Sequence, residues 1–299
     1  MKRIVVVGSS NTDLIGYCER YPEPGETIMG HKFHSGFGGK GANQCIMASK
    51  FKDVQVTMVT FLGKDQFGQS TYENYKTNGI DVSLIQFCDL PTGCAMITVD
   101  KTGQNQIIVI PGANNAITPT FIQDHQNDIF KPDDIIVCQN EIPIETTFET
   151  LKLAKQHQCK TIWNPAPAPS TFDIEMLKYI DILIVNTNES MQIGKEATPE
   201  LSAKKLHDQY GIDVIVTLGE KGCLIVGNEN IQIDSIKVDA VDTTGAGDAF
   251  VGSFARCLAM GYEYKKCAQI AVRIASDSVT RNGTQSSYPS RERIDELIN

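Results

Sequence analysis

The stretch Asp242-Thr243-Thr244-Gly245-Ala246-Gly247-Asp248-Ala249-Phe250 sets three small residues, Gly245, Ala246 and Gly247, directly ahead of a helical pattern. From Phe250 onward, Val251, Phe254, Ala255 and Leu258 recur at helical spacing, and Gly261 supplies a stop. Small residues at a helix start leave the first backbone N–H groups exposed, and those donors suit an anion such as a phosphoryl group in transfer. Asp248 falls in the first turn beside them. Two readings of that carboxylate stand: a first-turn acid that complements the helix dipole, or a group placed next to an anion site.

Outward from this stretch, short β-rich runs recur at 4–8, 54–61, 134–138, 160–163, 181–185, 213–218 and 223–227. Helix-compatible stretches at 41–50, 67–78, 145–157 and 199–210 lie between many of them. Continuous apolar strands alternating with helices predict an α/β fold: a mostly parallel central sheet covered on both faces, with ligands at the carboxyl ends of its strands. Two segments break the rhythm. Residues 12–36 are rich in Tyr, Pro, Gly and Thr, and residues 91–111 read as strands 94–99 and 106–110 joined by Lys101-Thr102-Gly103-Gln104, a hairpin. Together they predict a small β layer projecting from the main sheet. With no linker, repeat or low-complexity tract, one domain over 1–299 carrying a β lid is expected.

Composition narrows the function classes. The 299 residues are 41% hydrophobic and 21% charged, which excludes disorder as a description of the whole chain. Lys and Arg total 27 against 36 acidic residues, a net charge of −9, so there is no general attraction to nucleic acid or to an anionic membrane. No apolar run approaches the ~20 residues of a membrane span, and the run before Gly8 reads as a strand rather than a signal peptide. The 9 cysteines include no C-x-x-C pair, so neither a disulfide framework nor a zinc site is indicated. His31 and His34 lack a third ligand at metal-binding spacing. A reducing compartment, the cytoplasm, is expected, with a nuclear location left open.

Two nucleotide signatures fail. Gly8 is followed by Ser9-Ser10-Asn11 rather than G-x-G-x-x-G, and neither Gly39-Lys40-Gly41 nor Gly63-Lys64-Asp65 completes a P-loop. A second glycine-rich stretch, Gly38-Gly39-Lys40-Gly41-Ala42-Asn43-Gln44, admits close backbone approach to a ligand, with Lys40 and Asn43 as polar groups for hydroxyls. An ordinary turn before a helix fits it equally well. Asn164, after Trp163, reads either as a turn residue or as a neighbour of a nucleotide.

These motifs, with Gly8-Ser9-Ser10-Asn11-Thr12-Asp13, Pro24-Gly25-Glu26-Thr27, Asn186-Thr187-Asn188-Glu189, Thr217-Leu218-Gly219-Glu220-Lys221-Gly222 and Thr280-Arg281-Asn282-Gly283-Thr284-Gln285-Ser286-Ser287-Tyr288-Pro289, occur in one order along the chain. In that order they resemble the ribokinase branch of the PfkB carbohydrate-kinase family nearly end to end. The resemblance implies a ribokinase-like fold and ATP-dependent phosphorylation of D-ribose at its 5-hydroxyl. It implies Asp248 as catalytic base, with Gly245, Ala246 and Gly247 as an anion hole. Sugar-binding positions are implied at Asn11, Thr12, Asp13, Gly39, Lys40, Gly41, Ala42, Asn43 and Glu141. Nucleotide positions are implied at Asn186, Glu189, Thr217, Leu218, Gly219, Glu220, Lys221, Gly222 and Ser235, with Gly247 and Asp248. Glu189 is implied to organise Mg²⁺ through water. Activating K⁺ is implied at Asp242, Thr244, Ser278, Arg281, Gly283 and Ser287, mostly through backbone carbonyls. Arg281 and Val272 depart from the small and polar residues often found in relatives. A homodimer paired through the lid completes the expectations. Other sugar or nucleoside kinases of the family, or a catalytically silent sugar sensor, are the alternatives.

Overall fold

The computed structural model describes residues 2–298; Met1 and Asn299 of the expected domain lie outside the described residues. Its strands are β1 (Ile4–Val7), β2 (Asn11–Tyr17), β3 (Lys32–Gly38), β4 (Val56–Gly63), β5 (Ile85–Cys88), β6 (Gly93–Val99), β7 (Asn105–Ile110), β8 (Ile135–Cys138), β9 (Lys160–Trp163), β10 (Ile182–Asn186), β11 (Asp213–Thr217), β12 (Cys223–Val226) and β13 (Ile231–Ile233). Its α-helices are α1 (Lys40–Ser49), α2 (Gln66–Thr77), α3 (Pro119–Asp124), α4 (Gln126–Ile129), α5 (Ile144–Gln156), α6 (Thr187–Gly194), α7 (Pro199–Tyr210), α8 (Ala246–Ala259), α9 (Tyr264–Ser278) and α10 (Arg291–Ile298).

Nine strands form one sheet in the order β13-β12-β11-β10-β9-β8-β1-β4-β5. The pairings from β5 through β11 are parallel, and β12 and β13 extend the edge antiparallel. All four residues of β1, Ile-Val-Val-Val, are buried, as expected of a strand with helices on both faces. Their side chains alternate between two cores. Ile4 and Val6 join the layer containing Phe250 and Phe254 of α8 and Ile270 of α9, whereas Val5 and Val7 join the layer containing Leu151 of α5 and Leu206 of α7.

Local signals set the helix ends. Thr198 accepts a hydrogen bond from Leu201 N ahead of Pro199 at the first position of α7, and Gly211 ends that helix in the left-handed conformation. Asp65 caps α2 by accepting from Gly68 N. Strands β5 and β13 and helices α9 and α10 lie outside the runs singled out in the sequence. At four and three residues, β5 and β13 are too short to show a period.

The remaining strands form a separate four-stranded sheet, order β3-β2-β6-β7. The expected hairpin is present as antiparallel β6 and β7, with Gly103 at φ 84 in the turn. All six residues of the edge strand β7 are exposed, Ile108 at 65%. No helix among the described residues is long and apolar enough to cross a membrane.

Candidate active site

Strand β1 lies between β4 and β8, so the chain leaves it toward β4 and β5 on one side and later builds β8 through β13 on the other. Open parallel sheets bind ligands outside the carboxyl ends of their strands at such a reversal. Here the chain leaves β1 into Gly8-Ser9-Ser10 and leaves β8 into Gln139-Asn140-Glu141. Ser9 Oγ donates to Glu141 Oε2 at 2.6 Å, and Lys40 N donates to the same oxygen at 2.8 Å. Only glycine permits this closeness. A Cβ on Gly41 would lie 2.6 Å from Ser9 N, and one on Gly39, at φ 86, would lie 2.8 Å from Asn11 N.

Strand β2 carries Asn11 and Asp13 two residues apart on one face, opposite Gly38 and Gly36 of β3. A Cβ on Gly38 would stand 2.2 Å from Asp13 Oδ1, so the carboxylate lies directly over that glycine. Asn11 Oδ1 accepts from Asn114 Nδ2 at 2.7 Å, which turns the Asn11 amide nitrogen the other way. Thr12, on the opposite face, is buried.

Asp248 is buried in the first turn of α8, where α1 and α8 cross closely; a Cβ on Gly252 would meet Gln44 O at 2.5 Å. Asn43 Nδ2 donates to Asp248 Oδ2 at 3.0 Å and Gln44 Nε2 donates to Oδ1 at 2.9 Å. The start of α8 is bare. Gly245 is left-handed, no side chain caps the helix, and a Cβ on Gly247 would meet nothing within 4 Å. A helix start of this kind accepts an anion.

The electrostatics join these groups. Burial first, then Glu141 and Asp248, push the Asp13 carboxyl up to about 6. The Asp248 carboxylate, followed by Glu141 and Glu189, holds the Lys40 ammonium above its usual value against the opposing effect of burial. Burial raises Glu189. Three carboxyl groups, Asp248, Glu141 and Glu189, thus act on one ammonium, and Asp13, beside two of them, resists ionisation.

The expected nucleotide positions lie along the neighbouring strand ends. Asn186 and Glu189 form a reciprocal cap on α6: Glu189 N donates to Asn186 Oδ1 and Asn186 N donates to Glu189 Oε2, both at 2.9 Å. Asn186 pairs with Thr217 across β10 and β11. The loop from Thr217 to Gly222 closes with Leu218 N donating to Gly222 O at 2.8 Å. Gly222 sits at φ 87, where a Cβ would meet Ile233 O at 2.0 Å and Ser235 N at 2.7 Å, so Ser235 lies against the loop. Gly219, Glu220 and Lys221 are exposed.

The expected cation positions come together through Asp242. Thr244 N donates to its Oδ1 at 2.9 Å and Gly283 N to its Oδ2 at 2.8 Å, tying the stretch before α8 to the loop after α9. Arg281 turns its guanidinium to Asp277 and donates from Nε to Ser287 O at 2.9 Å, while its backbone N donates to Ser278 O at 3.2 Å. Two carbonyls expected to face the ion therefore also serve Arg281. The donor set of one carboxylate plus carbonyl and hydroxyl oxygens has the chemistry of a hard monovalent cation. A single carboxylate at Glu189 fits Mg²⁺ held through its water shell.

Four site residues were missed in the sequence: Ser9 on Glu141, Asn114 on Asn11, and Gln44 and Gln285, the last donating to Asn43 Oδ1 at 3.0 Å. Ser9, Gln44 and Gln285 stood inside motifs noted in the sequence but without a role of their own, and Asn114 sits in a short 3₁₀ turn outside all of them. Asn164 accepts from Gln44 and donates to Ile184 O, so it belongs to the network behind Asp248.

Residues 1–291 match the family model for pfkB family carbohydrate kinases. A ribokinase of Lactococcus lactis is 36% identical, with 98% of this chain and 96% of the relative covered. A deoxyribokinase of Salmonella typhi is 35% identical over 99% and 98% of the two chains. The solved structure of an Arabidopsis thaliana ribokinase complexed with ribose and ATP superposes with a TM-score of 0.89 at 29% identity, covering 100% of this chain and 99% of that one. The large parallel sheet, the small separate sheet and the site at the sheet's reversal define a sugar kinase. The chain belongs to the pfkB family of carbohydrate kinases.

Proposed function

We propose that the protein transfers the γ-phosphoryl group of ATP to the 5-hydroxyl of D-ribose. The observation that carries this reading is the meeting of Asp248 with Asn43, Lys40, Asp13 and Glu141 beside the bare start of α8. Asn11, Asp13, Lys40, Asn43 and Glu141, with the backbone of Gly39, Gly41 and Ala42, offer the mixed donors and acceptors that a polyol needs. A relative of similar length is complexed with ribose and ATP.

In this reading Asp248 orients the attacking hydroxyl and takes its proton as the bond to phosphorus forms. A free carboxyl near a pKa of roughly 4 does not deprotonate an alcohol beforehand. The N–H groups of residues 245–247 receive the charge on the transferring group. The loop 217–222, Asn186 and Ser235 hold the nucleotide. Glu189 would hold Mg²⁺ through water, and Asp242 with the 278–287 loop would hold K⁺. Bound Mg²⁺ would supply charge neutralisation on the phosphates. The described residues form one domain whose small sheet is a lid that also pairs two copies of the chain. The reaction product is D-ribose 5-phosphate.

The deoxyribokinase relative favours one second reading, 2-deoxyribose as substrate. The two sugars differ by a single hydroxyl, and a site that hydrogen-bonds that hydroxyl rejects the analogue lacking it. Steady-state rates with ribose, 2-deoxyribose, fructose and adenosine, each with ATP, Mg²⁺ and K⁺, decide between them. Ribose should give the highest kcat/KM, and a higher value for any other sugar overturns the assignment.

A further inference from the structure

We infer that Gln44 is a positioning residue that fixes the orientation of the Asp248 carboxylate from behind, as the last link of a directional amide chain anchored on the central sheet. The inference rests on the proposed role of Asp248.

The direction of the chain is set at its buried end. Ile184 O on β10 is a backbone carbonyl and only accepts, so the Asn164 side chain must present Nδ2 to it, at 2.8 Å. Asn164 Oδ1 then faces Gln44 and accepts from Gln44 Nε2 at 2.9 Å. With its nitrogen so placed, Gln44 directs its other N–H to Asp248 Oδ1, at 2.9 Å. Gln44 Oε1 is left facing Gln139, whose Nε2 donates to it at 2.7 Å. Flipping Gln44 would set its oxygen against Asn164 Oδ1 and Asp248 Oδ1, two acceptors, in a side chain with no solvent exposure. One orientation therefore satisfies every partner of Gln44.

The consequence reaches both carboxylate oxygens. Gln44 holds Oδ1 and Asn43 holds Oδ2, each by one N–H, so each oxygen keeps a lone pair for a substrate hydroxyl. Asn43 lies at the sugar site, whereas Gln44 stands wholly behind it. The charged and titratable groups around Asp248 are Lys40 of α1, Asp13 of β2, Glu189 of α6 and Tyr288 after α9. The cation that acts on Asp248, Lys40, acts also on Glu141 and Glu189, whereas the Gln44 N–H favours the ionised carboxylate from the core side.

The test compares pH–rate profiles of kcat for the wild type, Gln44→Met, Gln44→Glu and Gln139→Met. Gln44→Met keeps the length of the side chain and removes the donor. Its acid limb should rise by about one to two pH units and kcat should fall ~10–100-fold at neutral pH, with the sugar KM within about threefold. Gln44→Glu is isosteric and sets a second carboxyl against Asp248 Oδ1, so the pair should hold a shared proton to higher pH and raise the limb as well; it carries the test if Gln44→Met does not fold. Gln139→Met removes an anchor without touching Asp248, and should lower the melting temperature while leaving the limb in place. A folded Gln44 variant with an unmoved acid limb overturns the inference, as does a Gln139→Met limb that moves as far. Asp248→Asn separates the two claims: if an acid limb of wild-type position persists there, the base assignment fails, independently of Gln44.

Discussion

Replacing Asp13 with Asn should stabilise the ligand-free protein and weaken its hold on sugar. Burial, Glu141 and Asp248 raise the Asp13 carboxyl from 3.8 to about 6. An acid whose pKa rises on folding binds more protons in the folded state than in the unfolded state between those two values. Stability is therefore highest below the unfolded pKa, falls as pH rises through the window, and carries the full penalty above about 6. A shift of about 2 units corresponds to ~3 kcal/mol at ~1.4 kcal/mol per unit. The side chain is partly exposed, which screens the interaction, so ~1–2 kcal/mol is the expected size.

Asp13→Asn keeps the shape and removes the charge. At about pH 7.5 and without sugar, urea unfolding should place the variant ~1–2 kcal/mol above the wild type, a few degrees in melting temperature. At about pH 4.5 the difference should shrink to about a third, because the wild-type carboxyl is then mostly protonated when folded. Calorimetry at the higher pH should show ribose affinity reduced at least ~10-fold, the cost of losing a charged hydrogen-bond acceptor. A variant less stable than the wild type at about pH 7.5 would refute this reasoning, as would a gain that does not depend on pH.

Three further outcomes follow from the same geometry. Asp248→Asn should fold and bind ribose while kcat falls ~10²–10⁴-fold, since Asn keeps the shape but takes no proton; wild-type kcat would return Asp248 to a first-turn acid. Activity should be higher in K⁺ than in Na⁺ or a bulky organic cation, because Asp242 already ties the start of α8 to the loop carrying Gly283; equal rates in all three would remove the cation site. Ile108→Lys on the exposed edge strand β7 should yield monomers by light scattering at micromolar concentration, and an unchanged dimer, or a wild type already monomeric, would count against pairing through the lid.

The frame of the fold was legible because buried parallel strands leave unbroken apolar runs. Ile4–Val7 and Ile135–Cys138 read as strands for the same reason that they pack between two helical layers. The hairpin in 91–111 was legible from two short β-rich runs joined by Lys101-Thr102-Gly103-Gln104, and in the structure Gly103 is left-handed. Short edge strands such as β13 were not, since three residues show no alternation. Within the site, Asn43 and Asp248 stood out in glycine-rich motifs and the structure brings them together, whereas nothing local marked a role for the residues that support them. Asn114 and Gln285 act through side-chain hydrogen bonds to Ser10 and Asn11 and to Asn43 and Asn74, across more than a hundred residues of chain, and no local pattern records that. Gln44 reads locally as one more polar residue opening a helix.

The first turns of α1 explain why one short motif does so much of the arrangement. Lys40, Asn43 and Gln44 stand at positions i, i+3 and i+4, which share a face of a helix. That face meets the first turn of α8, and the close crossing at Gly252 brings both amides onto the Asp248 carboxylate and its oxygens within reach of the Lys40 charge. Gly39 and Gly41 let the same turn press against the ends of β1 and β2, so Asn11, Asp13 and Glu141 are referenced to the same short segment. A shift of α1 would move the sugar groups and the orientation of Asp248 together. The acids crowd around a single ammonium, and the site carries that cost in the ligand-free state, where Asp13 resists ionisation. In the proposed reading a bound polyol would repay part of it, with hydroxyl donors supplied to Asp13, Glu141 and Asp248. Sugar binding should then lower the pKa of Asp13 as well as fill the pocket, and ribose should be seen to release protons to the buffer near pH 6, where that carboxyl is half protonated.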